Sequence, residues 1–248
     1  MLSFPYQSGG KRDTTFPEEM RAAMVAALSR NVPFDVMKLT LTFEGQLPSS
    51  GNGSKKLAKK WETRHAFHHQ LSELWRVNDV LKHMAAVTVP LGGFTMIEQH
   101  HSEPHEDFAR DDGGERLWLY EPINKHGRNF IPLVRDSMAL TCALDILFLR
   151  KEEPGKIVQQ GGDIDNRLKT LIDGLRMPMH VEEMAESEAM PDLMYCLLES
   201  GTLISDMRIR TDRLLTSPQG NPKEARLVVE VTAKALRATT YNLPMMGH

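Results

Sequence analysis

The sequence predicts an α+β protein with helices packed on a mixed β-sheet, and three observations predict it. Segments 36–43, 140–149 and 226–236 alternate apolar and polar residues, as half-buried strands do. Segments 57–75 and 164–175 repeat apolar residues at helical spacing. The balance of 41% hydrophobic and 25% charged residues is that of a globular chain with a real core.

Taken in order, Pro17, Glu18 and Glu19 open a helix, with Met20, Ala23, Met24, Ala27 and Leu28 on one face. Met37, Leu39, Leu41 and Phe43 then face one side of a strand, and Lys38, Thr40 and Thr42 the other. A Pro, Ser and Gly-rich loop, 46–54, leads into Lys55, Lys56, Lys59, Lys60 and Arg64, at the start of a helix marked by Leu57, Trp61, His68, Leu71 and Trp75. Short strands are expected at 94–98 and 116–120, flanking an acidic, His-containing loop. The clearest strand is 140–149, where Leu140, Cys142, Leu144, Ile146 and Phe148 alternate with Thr141, Ala143 and Asp145. Segment 164–175 reads as helix, 177–188 has no period, 193–198 suggests a short helix stopped by Gly201, and 203–215 and 226–236 read as two closing strands.

We expect one domain over 1–248: an N-terminal helical extension (1–35), an elaborated region (36–135), a core carrying the chemistry (136–236) and a tail (237–248). The longest apolar stretch, 138–149, contains Thr141 and Asp145 and is too short to cross a bilayer. The first residues lack the basic and apolar regions of a secretory signal, so a cytoplasmic protein without a membrane partner is expected. Two cysteines, Cys142 and Cys196, do not make a disulfide framework and read as core residues. A net charge of −3 excludes coating nucleic acid by bulk charge, so any such contact must be local.

The chemistry concentrates in Gly161-Gly162-Asp163-Ile164-Asp165-Asn166-Arg167-Leu168-Lys169-Thr170-Leu171-Ile172-Asp173-Gly174-Leu175. Asp163 and Asp165, two apart, project to the same side if they lie in an extended approach to the helix. Asp165, Lys169 and Asp173 recur every four residues on one helical face. Carboxylates of this kind suit Mg²⁺ or Mn²⁺, and two of them plus substrate phosphate oxygens are a common way to hold Mg²⁺. A purely structural reading fits the same residues: Asp163 or Asp165 caps the helix, Lys169 pairs with Asp165 or Asp173, and Asn166 makes a local turn bond.

The run Asp-Ile-Asp-Asn-Arg-Leu-Lys-Thr-Leu-Ile-Asp-Gly-Leu resembles the signature of the RusA-type Holliday junction resolvases, D-x-D-N-x-x-K, followed by a strand bearing a further Asp. The match extends over about two-fifths of the chain, roughly 140–233, with 176–200 as an insertion before that strand. The resemblance implies a mixed α/β fold, a homodimer, and Mg²⁺-dependent phosphodiester hydrolysis that nicks branched DNA in pairs. It also implies that Asp206, in Gly201-Thr202-Leu203-Ile204-Ser205-Asp206, is the third metal ligand beside Asp163 and Asp165. Lys169 would then stabilise charge at the scissile phosphate, with Asn166 and Asp173 supporting the site from behind.

The basic run Lys55, Lys56, Lys59 and Lys60 and the strand pair Arg208 and Arg210 are candidate DNA contacts, although a charge run at a helix start is more often a solvated face. His100, His101 and His105, with Glu98, Glu103, Glu106 and Asp107, fit no closed zinc motif and read as an exposed loop. His65, His68 and His69 read as packing or surface residues. The alternative to an enzyme is a binding module of the same ancestry, holding nucleic acid or protein without cutting.

Overall fold

The computed structural model describes residues 34–47, 54–86, 110–111, 115–116, 119–151, 163–184, 191–215, 225–237 and 242–246; for Phe34, Ser54, Lys55, Lys56, His83, Ala86, residues 110–111 and 115–116, Asp163, Leu243 and Pro244 it describes the backbone alone. The helix expected at 17–28, the strand at 94–98 and the histidine loop at 98–107 lie outside these residues.

The described elements are strand β1 (Phe34–Gly45), helices α1 (Ser54–Val77) and α2 (Asp79–Ala86), a two-residue ladder of β2 (Arg110–Asp111) with β3 (Glu115–Arg116), the hairpin β4 (Ile123–Lys125) and β5 (Arg128–Val134), and β6 (Leu140–Arg150). Helix α3 (Asp163–Leu175) and strands β7 (Leu193–Leu198), β8 (Ile204–Arg213) and β9 (Ala225–Ala235) complete them. The fold class is α+β with mixed sheets, as expected. A four-stranded sheet runs β1-β9-β6-β8, antiparallel except for the parallel pair β6/β8. A three-stranded sheet runs β4-β5-β7, with β5/β7 parallel.

Alternation explains the large sheet. Leu140, Cys142, Leu144, Ile146 and Phe148 of β6 are buried on the face where β9 contributes Leu227, Val229, Val231 and Ala233 and β1 contributes Leu39, Leu41 and Phe43. Leu168, Leu171 and Leu175 of α3 and Phe67 and Leu71 of α1 close the same hydrophobic cluster, so both helices lie on this core side. The opposite face carries Lys38, Thr40, Glu230, Thr232 and Asp145.

The small sheet accounts for two departures from expectation. Segment 193–198 is strand β7, not a helix. β7 runs between two apolar layers: Met194 and Cys196 join a second cluster with Trp61 and Phe130, while Leu197 and Leu198 join the main core. A strand buried on both sides reads as a continuous apolar run with no period of two, which periodicity alone cannot tell from a helix. The hairpin β4–β5 went unread because its turn is His126-Gly127 rather than Asn-Gly; both residues have positive φ, 52° and 79°, as a two-residue hairpin turn of the mirror-image type needs.

Both sheets hand the chain on in the same way. β5 passes to β6 through a single turn at Asp136–Met138, and β7 to β8 through one at Gly201–Leu203. The two crossovers are joined where the Asp136 N–H donates to Glu199 Oε2 (3.0 Å) and the Glu199 N–H to the Val134 carbonyl (3.0 Å). The segment expected to be an insertion thus supplies a strand of the second sheet. Helix α3 is the connection between parallel β6 and β8.

Candidate functional site

Three contacts orient α3. At its start Arg167 is buried and donates through Nη1 to the Leu47 carbonyl, just beyond the end of β1, where Gly45 pairs Ala225 and Ala225 pairs Arg150. At its end Arg176 bridges to Leu198, and Gly201 lies against Ile172 and Arg176. The helix therefore begins at the C-terminal end of β6 and finishes near the start of β8. In parallel α/β units that first end is where ligands usually sit.

Asp165 and Lys169 lie on the exposed side of this helix, one turn apart, and neither has an ion-pair or hydrogen-bond partner among the described residues. Asp163 and Asp165 both fall inside the helical run, not in an extended lead-in, so Asp165 is a first-turn residue and not a cap, and the two-residue spacing does not give the two positions one face. Asn166 offers its carbonyl to the Thr170 hydroxyl (3.0 Å). No three-ligand group forms among the described residues, which leave out the side chain of Asp163.

Asp173, at the far end of the same helical face, is engaged elsewhere. Its carboxylate pairs with Lys60 (2.5 Å) and Arg176 (2.5 Å), not with Lys169. Arg176 also binds both carboxylate oxygens of Glu183 (3.0 and 2.8 Å). Burial opposes the charged form of Arg176 and of Glu183, yet their mutual bonds hold the guanidinium above its ordinary pKa and the carboxyl below its own. Arg64 reaches from α1 to the end of α3, donating to the carbonyls of Asp173 (2.6 Å) and Arg176 (3.3 Å), where a cation also complements the helix dipole. Burial brings Arg64 down to about 10, and it lies 4.4 Å over the Trp61 ring, whose indole N–H donates to the Glu183 carbonyl (2.8 Å). This network locks α1, α3 and the Val181–Glu183 turn together. Sequence reading missed it because its members are dispersed from 60 to 183.

Asp206 lies near the start of β8. Cys142 pairs Ile204, but Ala143 pairs Asp206, so Ser205 is an extra residue in β8, and its hydroxyl bonds the Cys142 carbonyl (3.0 Å). A bulge of one residue inverts the alternation beyond it. Asp206 consequently shares the open face with Ala143 and Asp145, whereas α3 covers the core face; without the bulge it would pair Leu144 on the core side. Arg208 and Arg210 follow on that open face: Arg210 binds Asp145 through Nε and Nη2 (3.0 Å each), and Arg208 lies 3.9 Å from it.

Of the basic run, Lys59 pairs with Glu62 (2.6 Å) and Lys60 with Asp173. His68 is a core residue: its Nδ1 accepts the Tyr195 N–H (3.0 Å), its ring stacks on Tyr195, and burial brings it down to about 4. Tyr195 in turn meets the Tyr120 hydroxyl (3.1 Å), and burial together with that contact raises it. Cys142 and Cys196 are buried and free, each pushed up to about 12 by burial, as unreactive core thiols.

No family model, curated protein or solved structure matches the chain.

Proposed function

We propose that the chain is a Mg²⁺- or Mn²⁺-dependent phosphodiesterase acting on branched DNA in the cytoplasm, as a homodimer, with its centre at the start of α3. One observation carries this reading: an exposed carboxylate, Asp165, and an exposed ammonium, Lys169, stand one turn apart at the C-terminal end of β6 without pairing to any described residue. Two opposite charges that fold into the same helical face and have no partner among the described residues are available to a cation and a phosphate.

In this reading Asp165 holds the ion, which fits its hard oxygen donors and the habit of Mg²⁺ of binding through one or two carboxylates plus substrate oxygens, and Asp163, in the same first turn, is the second acid that could reach it around the open helix start. The bound ion would supply an activated water and shield charge on the phosphate. Lys169 contributes a compact positive charge beside the scissile group, where charge builds up in the transition state. Arg167 fixes the helix start by its bond to Leu47, and the Lys60–Asp173–Arg176–Glu183 network fixes the other end.

The bulge at Ser205 favours a second reading, a non-catalytic module that binds nucleic acid or protein, because it turns the Asp206 carboxylate to the sheet face that α3 does not cover. A nicking assay on four-way junction, flap and linear duplex, with and without Mg²⁺, separates the two. We expect Mg²⁺-dependent nicking by the parent and a loss of at least about a hundredfold in Asp165→Asn. The fold should be kept, since a first-turn acid at an exposed helix start contributes only about 0.3–1 kcal/mol. Nicking by Asp165→Asn at the parent rate sinks the enzymatic reading of this helix, and binding without cleavage by the parent favours the module.

A further inference from the structure

The two edges of the four-stranded sheet differ. At the β1 edge the Gln70 amide of α1 occupies the backbone of Thr42, donating to its carbonyl (2.7 Å) and accepting from its N–H (2.9 Å). At the other edge, β8 pairs with β6 on one side, and no described strand pairs with it on the other. A ten-residue edge, Ile204–Arg213, is long enough to template another strand, and it contains no proline to blunt it.

We propose that β8 is the contact through which two copies of the chain associate, pairing antiparallel about a two-fold axis at Arg208 to make one continuous eight-stranded sheet. The side-chain order supports a second copy as the occupant, because β8 is complementary to itself in this register. Asp206 falls opposite Arg210 of the second copy, and Arg210 opposite its Asp206. On the core-side face, Met207 falls opposite Ile209 and Ser205 opposite Thr211. Met207 is a large apolar residue left 38% exposed, and this pairing covers it. Moving the axis to Ile209 sets Asp206 against Asp212 and Arg208 against Arg210, each twice, so four like-charge contacts replace the single Arg208 contact on the axis and the two Asp206–Arg210 pairs are lost. The two Arg208 side chains meet on the axis; they are 71% exposed to solvent, and each lies 3.9 Å from its own Asp145, which offsets their repulsion. The inference rests on the homodimer of the proposed function and names its interface, but it does not need the hydrolytic chemistry, since none of these residues belongs to the centre on α3.

Light scattering and an axis-placed cysteine test it. The parent should show a dimer mass, and Asp206→Arg should raise the dissociation constant at least about tenfold, by setting arginine against arginine twice. The exchange Asp206→Arg with Arg210→Asp should restore the dimer, with circular dichroism reporting that each variant folds. Arg208→Cys should form an intermolecular disulfide under mild oxidation, because residues on the axis face their own copies, whereas Arg210→Cys should not. A parent that stays monomeric at all concentrations overturns the proposal. So does a dimer indifferent to Asp206→Arg in which Arg208→Cys fails to crosslink. Should the charge variants fail to fold, the crosslink alone decides.

Discussion

His68 shows how a single buried side chain carries a pH dependence. Its Nδ1 accepts the Tyr195 N–H, so the folded protein needs that nitrogen unprotonated, and burial, with His69 and His65 nearby, lowers its pKa from the ordinary 6.5 to about 4. The unfolded chain binds a proton below about 6.5 that the folded chain refuses until about 4. The neutral ring therefore contributes its full stability above pH 6.5, and that contribution is lost as the pH falls through the window down to about 4. Allowing for solvent at the ring, we expect about 1–2 kcal/mol between pH 7 and 4.5. Urea midpoints at the two pH values should lie closer together in His68→Gln than in the parent; identical shifts in both proteins would assign the acid sensitivity to other groups. The sequence could mark His68 as a helix residue near the core, but not its partner, because Tyr195 is 127 positions away.

At the scale of elements, the crossing of α1 on α3 is set by one missing methyl group. A Cβ on Gly174 would come within 2.6 Å of Thr63 Cγ2 and 3.0 Å of Thr63 Cβ, and Thr63 is fully buried. Gly174→Ala gains about 1 kcal/mol of helix propensity, yet it forces apart helices that Arg64 and Lys60 tie together, at a cost of about 1–3 kcal/mol. Net destabilisation is expected in thermal or urea unfolding, reduced when Thr63→Ser removes the opposing methyl. A more stable Gly174→Ala protein would mean that the crossing has slack. The helices themselves were legible from their apolar spacing, and so was β6 from its alternation. β7 was not, since a strand covered on both faces loses the alternation by which strands are recognised.

For the molecule as a whole, the sheet's edges decide whether it associates in a controlled way. Gln70 closes the β1 edge at Thr42, and Gln70→Leu removes both hydrogen bonds while leaving the helix spacing of α1 intact. The two backbone groups are then free to recruit another strand. We expect a modest stability loss of about 1–2 kcal/mol and a concentration-dependent rise in species larger than the parent, followed by light scattering. An unchanged mass distribution would show that this edge needs no guard. Among the described residues no helix is long and apolar enough to cross a membrane, in keeping with the composition.

The sequence by itself determined the α+β class, the positions of β1, α1, β6, α3, β8 and β9, and the exposed Asp165 and Lys169 on one face of α3, because local periodicity and side-chain chemistry are written in neighbouring residues. The tertiary structure alone decided where Asp173 and Asp206 go. Asp173 is claimed by Lys60 of another helix and by Arg176, and Asp206 is turned to the open face by one extra residue at Ser205. Ion-pair partners brought together by packing and the phase of a strand after a bulge depend on what lies across the fold, and no spacing along the chain encodes them.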